Sequence, residues 1–163
     1  MLKKGNAKNN DIDGTKDADI IYGYGGNDKL SGHRGNDVIY GGADNDRIGG
    51  GQGHDKLTGG AGKDSFIFRH FAAADSDTIT DFKHGTDKLE FDHEIFAALS
   101  TGALPSSAFF AGTKAHDAND HFIYDKKTGH LYYDDDGNGA HGQHLVATLS
   151  NHADLSASDF LLI

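Results

Sequence analysis

A nine-residue period runs through the first 67 residues and constrains the fold more than any other feature of the chain. Seven consecutive frames share one unbroken register, and each starts with a glycine: Gly5, Gly14, Gly23, Gly32, Gly41, Gly50 and Gly59. The eighth residue of every frame is aliphatic or phenylalanine, and the sixth is aspartate in every frame except the first, which has Asn10. A unit this short cannot bury its apolar residue alone, so the period predicts a solenoid of stacked units.

Hydrophobic burial is too small to fold such a solenoid. Each unit supplies one dependable core residue, namely Ile12, Ile21, Leu30, Ile39, Ile48, Leu57 or Phe66. Burying one such side chain contributes roughly 1.5–3 kcal/mol, whereas ordering the backbone of nine residues costs on the order of 9–18 kcal/mol. The chain also has a formal net charge of −10 and a mean hydropathy of −0.57. Another source of stability is therefore required.

The turns between the apolar residues combine glycine with aspartate. Glycine allows positive φ, which can direct main-chain carbonyl oxygens inward, and carboxylates add hard anionic oxygens. Ca²⁺ prefers a flexible cage of such oxygens. Gly-Asn-Asp clusters also form ordinary tight turns, but a tight turn does not require aspartate at one fixed offset. We therefore predict calcium ligands at Asp19, Asp28, Asp37, Asp46, Asp55 and Asp64.

The segment from about Gly14 to Phe66 resembles the nonapeptide repeat of RTX proteins, the hemolysin-type calcium-binding family. The resemblance implies an all-β fold, a parallel β-roll with two nonapeptides per coil, in which each ion lies between turn i and turn i+2. It pairs Asp19 with Asp37, Asp28 with Asp46, Asp37 with Asp55 and Asp46 with Asp64, and we expect four or five calcium ions. The carbonyl ligands that it implies come from the turns, at Gly23, Gly25, Gly26, Gly32, Arg34, Gly35, Gly41, Gly42, Ala43, Asp44, Gly50, Gly51, Gln52, Gly53, Gly59, Gly60 and Gly62.

Two turns depart from the repeat pattern, because Asp17 and Asp44 replace the glycine at the fourth position. Aspartate tolerates the left-handed region better than most residues, so both turns are expected to form but to bind less well. Because the turns do not exist in the unfolded chain, calcium binding and folding should be one event. The repeat segment should be disordered at cytosolic calcium and fold at the millimolar concentrations found outside cells.

Beyond Phe66 the period stops, and we predict two regions, a calcium-binding β-roll over residues 5–67 and a β-rich capping subdomain over residues 68–163. The capping subdomain should contain one or two short helices, one of them after Asp92 over residues 93–99. Residues 77–82 and 87–92 are expected to form a hairpin that caps the roll. The segment around Asp77 and Asp81 also resembles the one that closes the calcium ladder of RTX proteins, so these two aspartates are candidate ligands.

A second tract, residues 121–150, predicts a three-stranded meander. Its Asp134, Asp136 and Asn138 reproduce the first half of an EF-hand loop, but the twelfth position is Leu145. An acidic β-turn and a weak extra calcium site both remain open. Its tyrosines Tyr124, Tyr132 and Tyr133 are expected to pack in the sheet.

The apolar end of the chain, Phe160 to Ile163, predicts one more strand on the cap. It also resembles the uncleaved C-terminal export signals of type I secretion substrates, to which RTX proteins generally belong. The expected localisation is extracellular without a cleavable N-terminal signal, because residues 1–11 lack an apolar segment. The expected partner of the unfolded chain is a type I exporter. No membrane insertion and no nucleic-acid partner are expected of an acidic chain without long apolar stretches.

Motifs of catalysis are missing from the sequence. His93-Glu94 begins like a zincin helix, but Ala97 and Ala98 stand where the second histidine would be. We therefore expect a non-catalytic module that folds on calcium after export. The alternatives are a calcium-rigidified adhesion or matrix module, with a cell-surface or polysaccharide partner, and the non-catalytic tail of a larger secreted hydrolase, lyase or epimerase.

Overall fold

The repeat region folds into two β-sheets that share one core. The computed structural model describes residues 1–70 and 75–163. Strands alternate between the two sheets along the chain: β1 (Leu2–Lys4), β2 (Asp11–Thr15), β3 (Ile20–Tyr24), β4 (Lys29–Arg34), β5 (Val38–Ala43), β6 (Arg47–Gln52), β7 (Lys56–Ala61) and β8 (Ser65–Phe68).

Neighbouring strands in each sheet are parallel and two repeats apart. The odd-numbered strands pair in one sheet and the even-numbered strands in the other. Ile39 pairs with Ile21 and Leu57 in the first sheet, and Ile48 pairs with Leu30 and Phe66 in the second. All six side chains are buried in one core. The eighth residue of each repeat therefore forms a continuous ladder, and the predicted parallel β-roll is confirmed.

The roll continues beyond the recognisable repeats. Strand β9 (Asp77–Ile79) pairs in parallel with β7, and β10 (Lys88–Phe91) pairs in parallel with β8. The predicted hairpin over residues 77–92 is wrong, because its two strands lie in different sheets. Each strand instead contributes an apolar residue to the core ladder, and this residue follows an aspartate by two positions, as it does in the repeats. Both sheets thus continue across the predicted boundary between residues 67 and 68. The division of the chain into two regions at this boundary stays a prediction.

The remaining strands complete the two sheets: β11 (Gly102–Ala103), β12 (Phe109–Ala111), β13 (Phe122–Asp125), β14 (His130–Tyr133), β15 (His144–Leu149) and β16 (Phe160–Leu162). The larger sheet has the order β1-β3-β5-β7-β9-β15-β14-β13-β12, and the smaller has the order β11-β16-β10-β8-β6-β4-β2. Strands β13, β14 and β15 pair antiparallel, so the predicted meander is confirmed. The predicted C-terminal strand, β16, is also confirmed and pairs with β10.

The helix predicted over residues 93–99 is wrong, because turns occupy this segment. The carboxylate of Asp92 accepts a hydrogen bond from the Glu94 amide at 3.0 Å, and its carbonyl accepts one from Phe96. Phe96 is fully buried, with its ring centroid 4.9 Å from that of Phe91 and 5.0 Å from that of Tyr133. Docking Phe96 among these aromatic rings outweighs the local helix preference of Ala and Glu. His93 and Glu94 consequently do not lie on a helix.

The short helices of the described residues are two 3₁₀ turns, Ser106–Ala108 and Ala157–Asp159. Tyr124 and Tyr133 are buried and pack in the core as predicted, whereas Tyr132 is only half-buried. Within the described ranges, no helix has the length and apolar character needed to span a membrane.

Candidate metal centre

Buried aspartates form a column along each edge of the roll. On one edge, one oxygen of Asp37 accepts the Asp19 amide at 2.7 Å, and Asp55 accepts the Asp37 amide at 2.7 Å. The other edge repeats this bond between Asp28 and Asn10, Asp46 and Asp28, and Asp64 and Asp46. The turns are thus connected along both edges through the aspartate Oδ1 atoms, and the predicted aspartate pairs are neighbours in space.

The second oxygen of these carboxylates is buried without a partner. Within residues 1–70 and 75–163, no group donates a hydrogen bond to the Oδ2 atoms of Asp28, Asp37, Asp46, Asp55 and Asp64. The five residues are at most 2% exposed, so water does not compensate. An unsatisfied buried carboxylate oxygen is costly. Five oxygens in this state are groups that bound cations would satisfy.

The first glycine of each of these turns lets the orphan oxygen approach its backbone closely. An added Cβ at Gly32 would lie closer than 3.0 Å to Asp37 Oδ2 and to the carbonyl oxygen of Gly50, one coil further on. The same overlap with a carboxylate oxygen would occur at Gly23, Gly41, Gly50 and Gly59. Each of these glycines is therefore approached by a carboxylate and, at three of the turns, also by a main-chain carbonyl of the next coil. Hard oxygens of both kinds fit Ca²⁺.

Positive φ occurs at the second and fourth turn positions, not at the first. Gly51 and Gly53 show it in one turn, and Gly42 and Asp44 in another, at φ 125° and 75°. The tolerance expected of Asp44 is confirmed, but Asp17 does not adopt the left-handed conformation. At the second position Tyr24 and His33 take φ 80° and 74° although they are not glycine. The first glycines are thus required for space and the later ones for backbone conformation.

Several implied carbonyl ligands already have a hydrogen-bond partner. The carbonyl of Gln52 accepts the Gly35 amide at 3.0 Å, and the carbonyl of Gly60 accepts Lys83 Nζ at 2.7 Å. The first-position carbonyls of Gly41, Gly50 and Gly59 instead approach the first glycine of the preceding coil, beside an orphan carboxylate oxygen. They are the most favourably placed carbonyl candidates.

Asp19 differs from the other five predicted aspartates. Its Oδ2 accepts hydrogen bonds from the amide and the hydroxyl of Thr15 at 2.6 and 2.8 Å, and its Oδ1 lies 2.8 Å from the amino group of Met1. These contacts lower its pKa, with the Met1 amino group as the largest cause. The turns that end at Asn10 and Asp19 also lack positive φ. Both are closed by hydrogen bonds within the chain.

Asp77 and Asp81 lie at the C-terminal end of the columns. Asp77 Oδ1 accepts the Asp55 amide at 3.1 Å and continues one column. Asp81 binds the amides of Gly59 and Gly60 with its two oxygens, at 2.9 and 2.8 Å. Asp81 therefore closes the last regular turn. Calcium ligation by Asp77 or Asp81 stays a prediction.

Asp87 was missed by the sequence analysis. Its Oδ1 accepts the Asp64 amide at 3.1 Å, as a ladder aspartate does, and its Oδ2 accepts the Lys83 amide at 2.8 Å. The sequence contained an indication, because Asp87 precedes Leu89 by two residues just as Asp64 precedes Phe66.

A column of asparagines at the fifth turn position was also missed. The side-chain oxygen of Asn9 accepts the Asn27 amide, that of Asn27 accepts the Asn45 amide, and that of Asn45 accepts the Lys63 amide, at 2.7–2.9 Å. Each of these asparagine side chains accepts from a residue 18 positions later in the chain, whereas each aspartate of the repeats accepts from a residue 18 positions earlier. The recurring Asn-Asp pairs of the sequence could have indicated this second column.

The loop that resembles half an EF-hand connects β14 to β15. Asp136 accepts the amides of Ala140 and His141, and Asp134 accepts the Asp136 amide. Asp135, Asp136 and His141 bring three possible ligand atoms within 4.8 Å of one another. Hydrogen bonds within the loop explain its conformation, and both alternatives for this loop stay open.

Burial raises the pKa of the ladder carboxyls. Burial is the largest cause for Asp37, whose pKa rises to about 6, with repulsion from Asp55 and Asp19 adding to it. Burial likewise raises the pKa of Asp46 to about 7, with repulsion from Asp64 and Asp28 adding to it. Burial is also the largest cause that raises the pKa values of five further carboxyls, those of Asp28, Asp55, Asp64, Asp77 and Asp87. Without a cation, the folded roll favours protonated carboxyls.

This shift predicts an unusual pH dependence of the metal-free protein. Between the unfolded aspartate pKa of 3.8 and folded values near 6 and 7, the folded state binds more protons than the unfolded state. Stability without metal must therefore fall as the pH rises through this window. We expect the chelated protein to gain β-structure by circular dichroism on acidification from pH 8 to pH 5. A loss of β-structure over the same range would contradict the raised pKa values.

Comparison with known proteins identifies the repeat region. A family model described as RTX calcium-binding nonapeptide repeat (4 copies) matches residues 4–39, 24–57 and 31–66. No curated protein matches the chain.

Two solved structures, both subunits of the Azotobacter vinelandii mannuronan C5-epimerase, are similar to the chain. The AlgE6R3 subunit is 23% identical, with a TM-score of 0.33 and coverage of 96% of this chain and 80% of that one. The AlgE6R2 subunit is 28% identical, with a TM-score of 0.35 and coverage of 99% and 92%.

Proposed function

The repeat region of this chain, residues 4–66, belongs to the RTX calcium-binding nonapeptide repeat family, and from this premise we propose that the protein is a non-catalytic module that calcium folds. One observation carries the proposal: five buried aspartate Oδ2 atoms have no hydrogen-bond partner, and each packs against the first glycine of its turn, where any side chain would displace it. Asp28, Asp46 and Asp64 would hold ions on one edge, and Asp37 and Asp55 on the other. First-position carbonyls of the next coil would complete part of each cage.

Calcium supplies divalent charge to oxygens that the fold has removed from water. Five ions carry ten positive charges, which equals the formal net charge of −10 in magnitude. Ligands on turns of successive coils can bind the same ion only if the coils are stacked. Binding would therefore stabilise the stacked state alone, so that the binding free energy becomes folding free energy.

The number of bound ions tests this assignment. We expect native mass spectrometry of the calcium-loaded protein to show five ions per chain, one for each orphan Oδ2. The buried Oδ1 of Asp19 also accepts no hydrogen bond, but Thr15 already holds the Oδ2 of that residue. Four ions would instead match the four aspartate pairs implied by the repeat. A protein that remains free of calcium at millimolar concentration would reject the proposed function.

Export in the unfolded state is the second part of the proposal. RTX repeat proteins are typically secreted, and low cytosolic calcium would keep this roll unfolded until it has left the cell. The last residues would serve twice, first as an export signal and then as β16, in which Phe160 and Leu162 are buried. Deleting residues 159–163 should abolish secretion through a type I exporter, and undiminished secretion would remove this part of the proposal.

A further inference from the structure

Asp159 is a fully buried carboxylate outside the two aspartate columns. It is 0% exposed and directly precedes β16, the C-terminal strand. Removing a carboxylate from water is costly unless hydrogen-bond donors replace the water. The calcium sites do not use this residue, which lies in the segment proposed for export, residues 159–163. Its surroundings therefore show what holds that segment in the folded protein.

Donors from two separate segments of the chain converge on Asp159. In its own segment, the amide and the hydroxyl of Ser156 donate to Oδ2 at 2.8 and 3.3 Å. The other donors belong to the turn between β9 and β10, residues 83–87, which we call the linking turn. There the Gly85 amide donates to Oδ1 at 2.9 Å, and His84 Nδ1 lies 2.6 Å from Oδ2. Asp159 therefore has its full set of donors only when the linking turn is formed beside it.

The linking turn is built on the last regular turn of the repeats. Lys83 Nζ donates to the Gly60 carbonyl at 2.7 Å. Asp87 Oδ1 accepts the Asp64 amide at 3.1 Å, and its Oδ2 accepts the Lys83 amide at 2.8 Å. Asp64 also carries one of the orphan Oδ2 atoms assigned to calcium. An ion at Asp64 would therefore fix the turn that holds the linking turn in place.

Strand β16 packs on the smaller sheet as a further coil would. Phe160 pairs with Leu89 of β10, just as Leu89 pairs with Phe66 one coil earlier. Phe160 and Leu162 are buried in the common core. These apolar contacts favour docking of β16, but docking also buries Asp159. The carboxylate thus makes docking depend on the donors that the linking turn supplies.

We propose that Asp159 is a latch that allows the C-terminal strand to dock only on a calcium-loaded last turn. With an ion at Asp64, the linking turn presents its donors and β16 docks. Without the ion, the donors are not held in place, and docking would bury a carboxylate that lacks them. The inference rests on the proposed function, because it gives the export segment its calcium control. By linkage, docking of β16 must also strengthen calcium binding at the last turn.

Hydrogen exchange of the full chain, read by mass spectrometry, tests the latch in excess calcium. Asp159→Asn should raise the exchange rate of the β16 amides at least tenfold, because the asparagine NH₂ group would face donors where an acceptor oxygen now lies. The amides of β4, near the other end of the roll, should keep their wild-type rate. Asp154→Asn is the matched control, since Asp154 is exposed and pairs with Lys126 on the surface. It should leave the exchange of β16 unchanged.

Gly59→Ala tests the calcium control without a change in the C-terminal segment. The added Cβ would lie closer than 3.0 Å to Asp64 Oδ2, so it should weaken calcium binding at the last turn. In a calcium titration, the midpoint for protection of the β16 amides should rise at least tenfold. The midpoint for β4 should rise by less, because β4 lies several coils away from the altered turn.

The ion count of the same samples, by native mass spectrometry, separates the latch from the proposed function. If Asp159→Asn takes up its ions while β16 exchanges at the wild-type rate, the latch is overturned and calcium-driven folding stands. Faster exchange of β4 and β16 alike in this variant would show a general loss of the fold and overturn the latch as well. Equal shifts of the two midpoints in Gly59→Ala would also overturn it. A wild-type protein that takes up no calcium would overturn both proposals.

Discussion

Gly32→Ala is expected to remove one calcium ion and to raise the calcium concentration needed for folding at least tenfold. The new Cβ would lie closer than 3.0 Å to Asp37 Oδ2 and to the Gly50 carbonyl oxygen. The methyl group would thus displace the carboxylate oxygen that is assigned to the ion and press against the backbone of the next coil. Overpacking alone costs about 1–3 kcal/mol, and a factor of ten corresponds to about 1.4 kcal/mol.

Gly25→Ala provides the matched control for this variant. Gly25 belongs to the same repeat region, but its φ is not positive, and the nearest atom to an added Cβ is Ala7 Cα at 3.8 Å. Its calcium midpoint, followed by circular dichroism, should remain close to that of wild type. If the two alanine variants had the same midpoint, the close approach of the carboxylate to the first glycine would not matter for calcium binding.

Asp46→Asn is expected to have opposite effects with and without calcium. In calcium, loss of the buried carboxylate should remove one ion and raise the folding midpoint more than tenfold. In chelator, the same change should increase residual structure, because it removes a charge that is buried at 1% exposure beside other carboxylates. In the wild type, Asp46 Oδ1 accepts a hydrogen bond from the Asp28 amide at 2.8 Å, and the asparagine oxygen can accept the same bond. The substitution therefore changes chiefly the charge.

Asp11→Asn is the control for this second prediction. Asp11 is exposed and pairs with Lys29 on the surface, so its replacement should change stability by no more than about 1 kcal/mol in either condition. Circular dichroism measures both variants, through the calcium midpoint of folding and through the residual β-structure in chelator. A shift of Asp46→Asn in the same direction under both conditions would contradict a cation-holding role for this carboxylate.

The sequence was sufficient to predict the repeat architecture, because its two signals are strictly periodic. The eighth-position residues, such as Ile39 and Ile48, form the core ladders, and the sixth-position aspartates form the edge columns. The period also defined which residues are neighbours, since a parallel coil places positions 18 residues apart side by side.

The coils after Phe68 escaped prediction because the spacing changes while the chemistry persists. Leu57 pairs with Ile79 and Phe66 pairs with Leu89, at offsets of 22 and 23 residues. A search for a fixed period misses these offsets, although the motif of aspartate followed two residues later by an apolar residue continues. The helix predicted after Asp92 failed for a different reason, because the burial of Phe96 depends on aromatic residues distant in sequence.

The different roles of the glycines could not be read from composition. The first glycine of a turn is needed because a carboxylate and a carbonyl of the next coil approach it, which only the stacked structure shows. Asp19 illustrates the same limit, since it fits the repeat motif but is held by Thr15.

Far-UV circular dichroism of the full chain, in excess chelator and in millimolar calcium at pH 7.5, tests the central claim most directly. The account predicts a disordered spectrum in chelator and a cooperative gain of β-structure as calcium is added. A compact, β-rich protein after complete removal of divalent ions would contradict it, because the five orphan carboxylate oxygens would then be tolerated without cations.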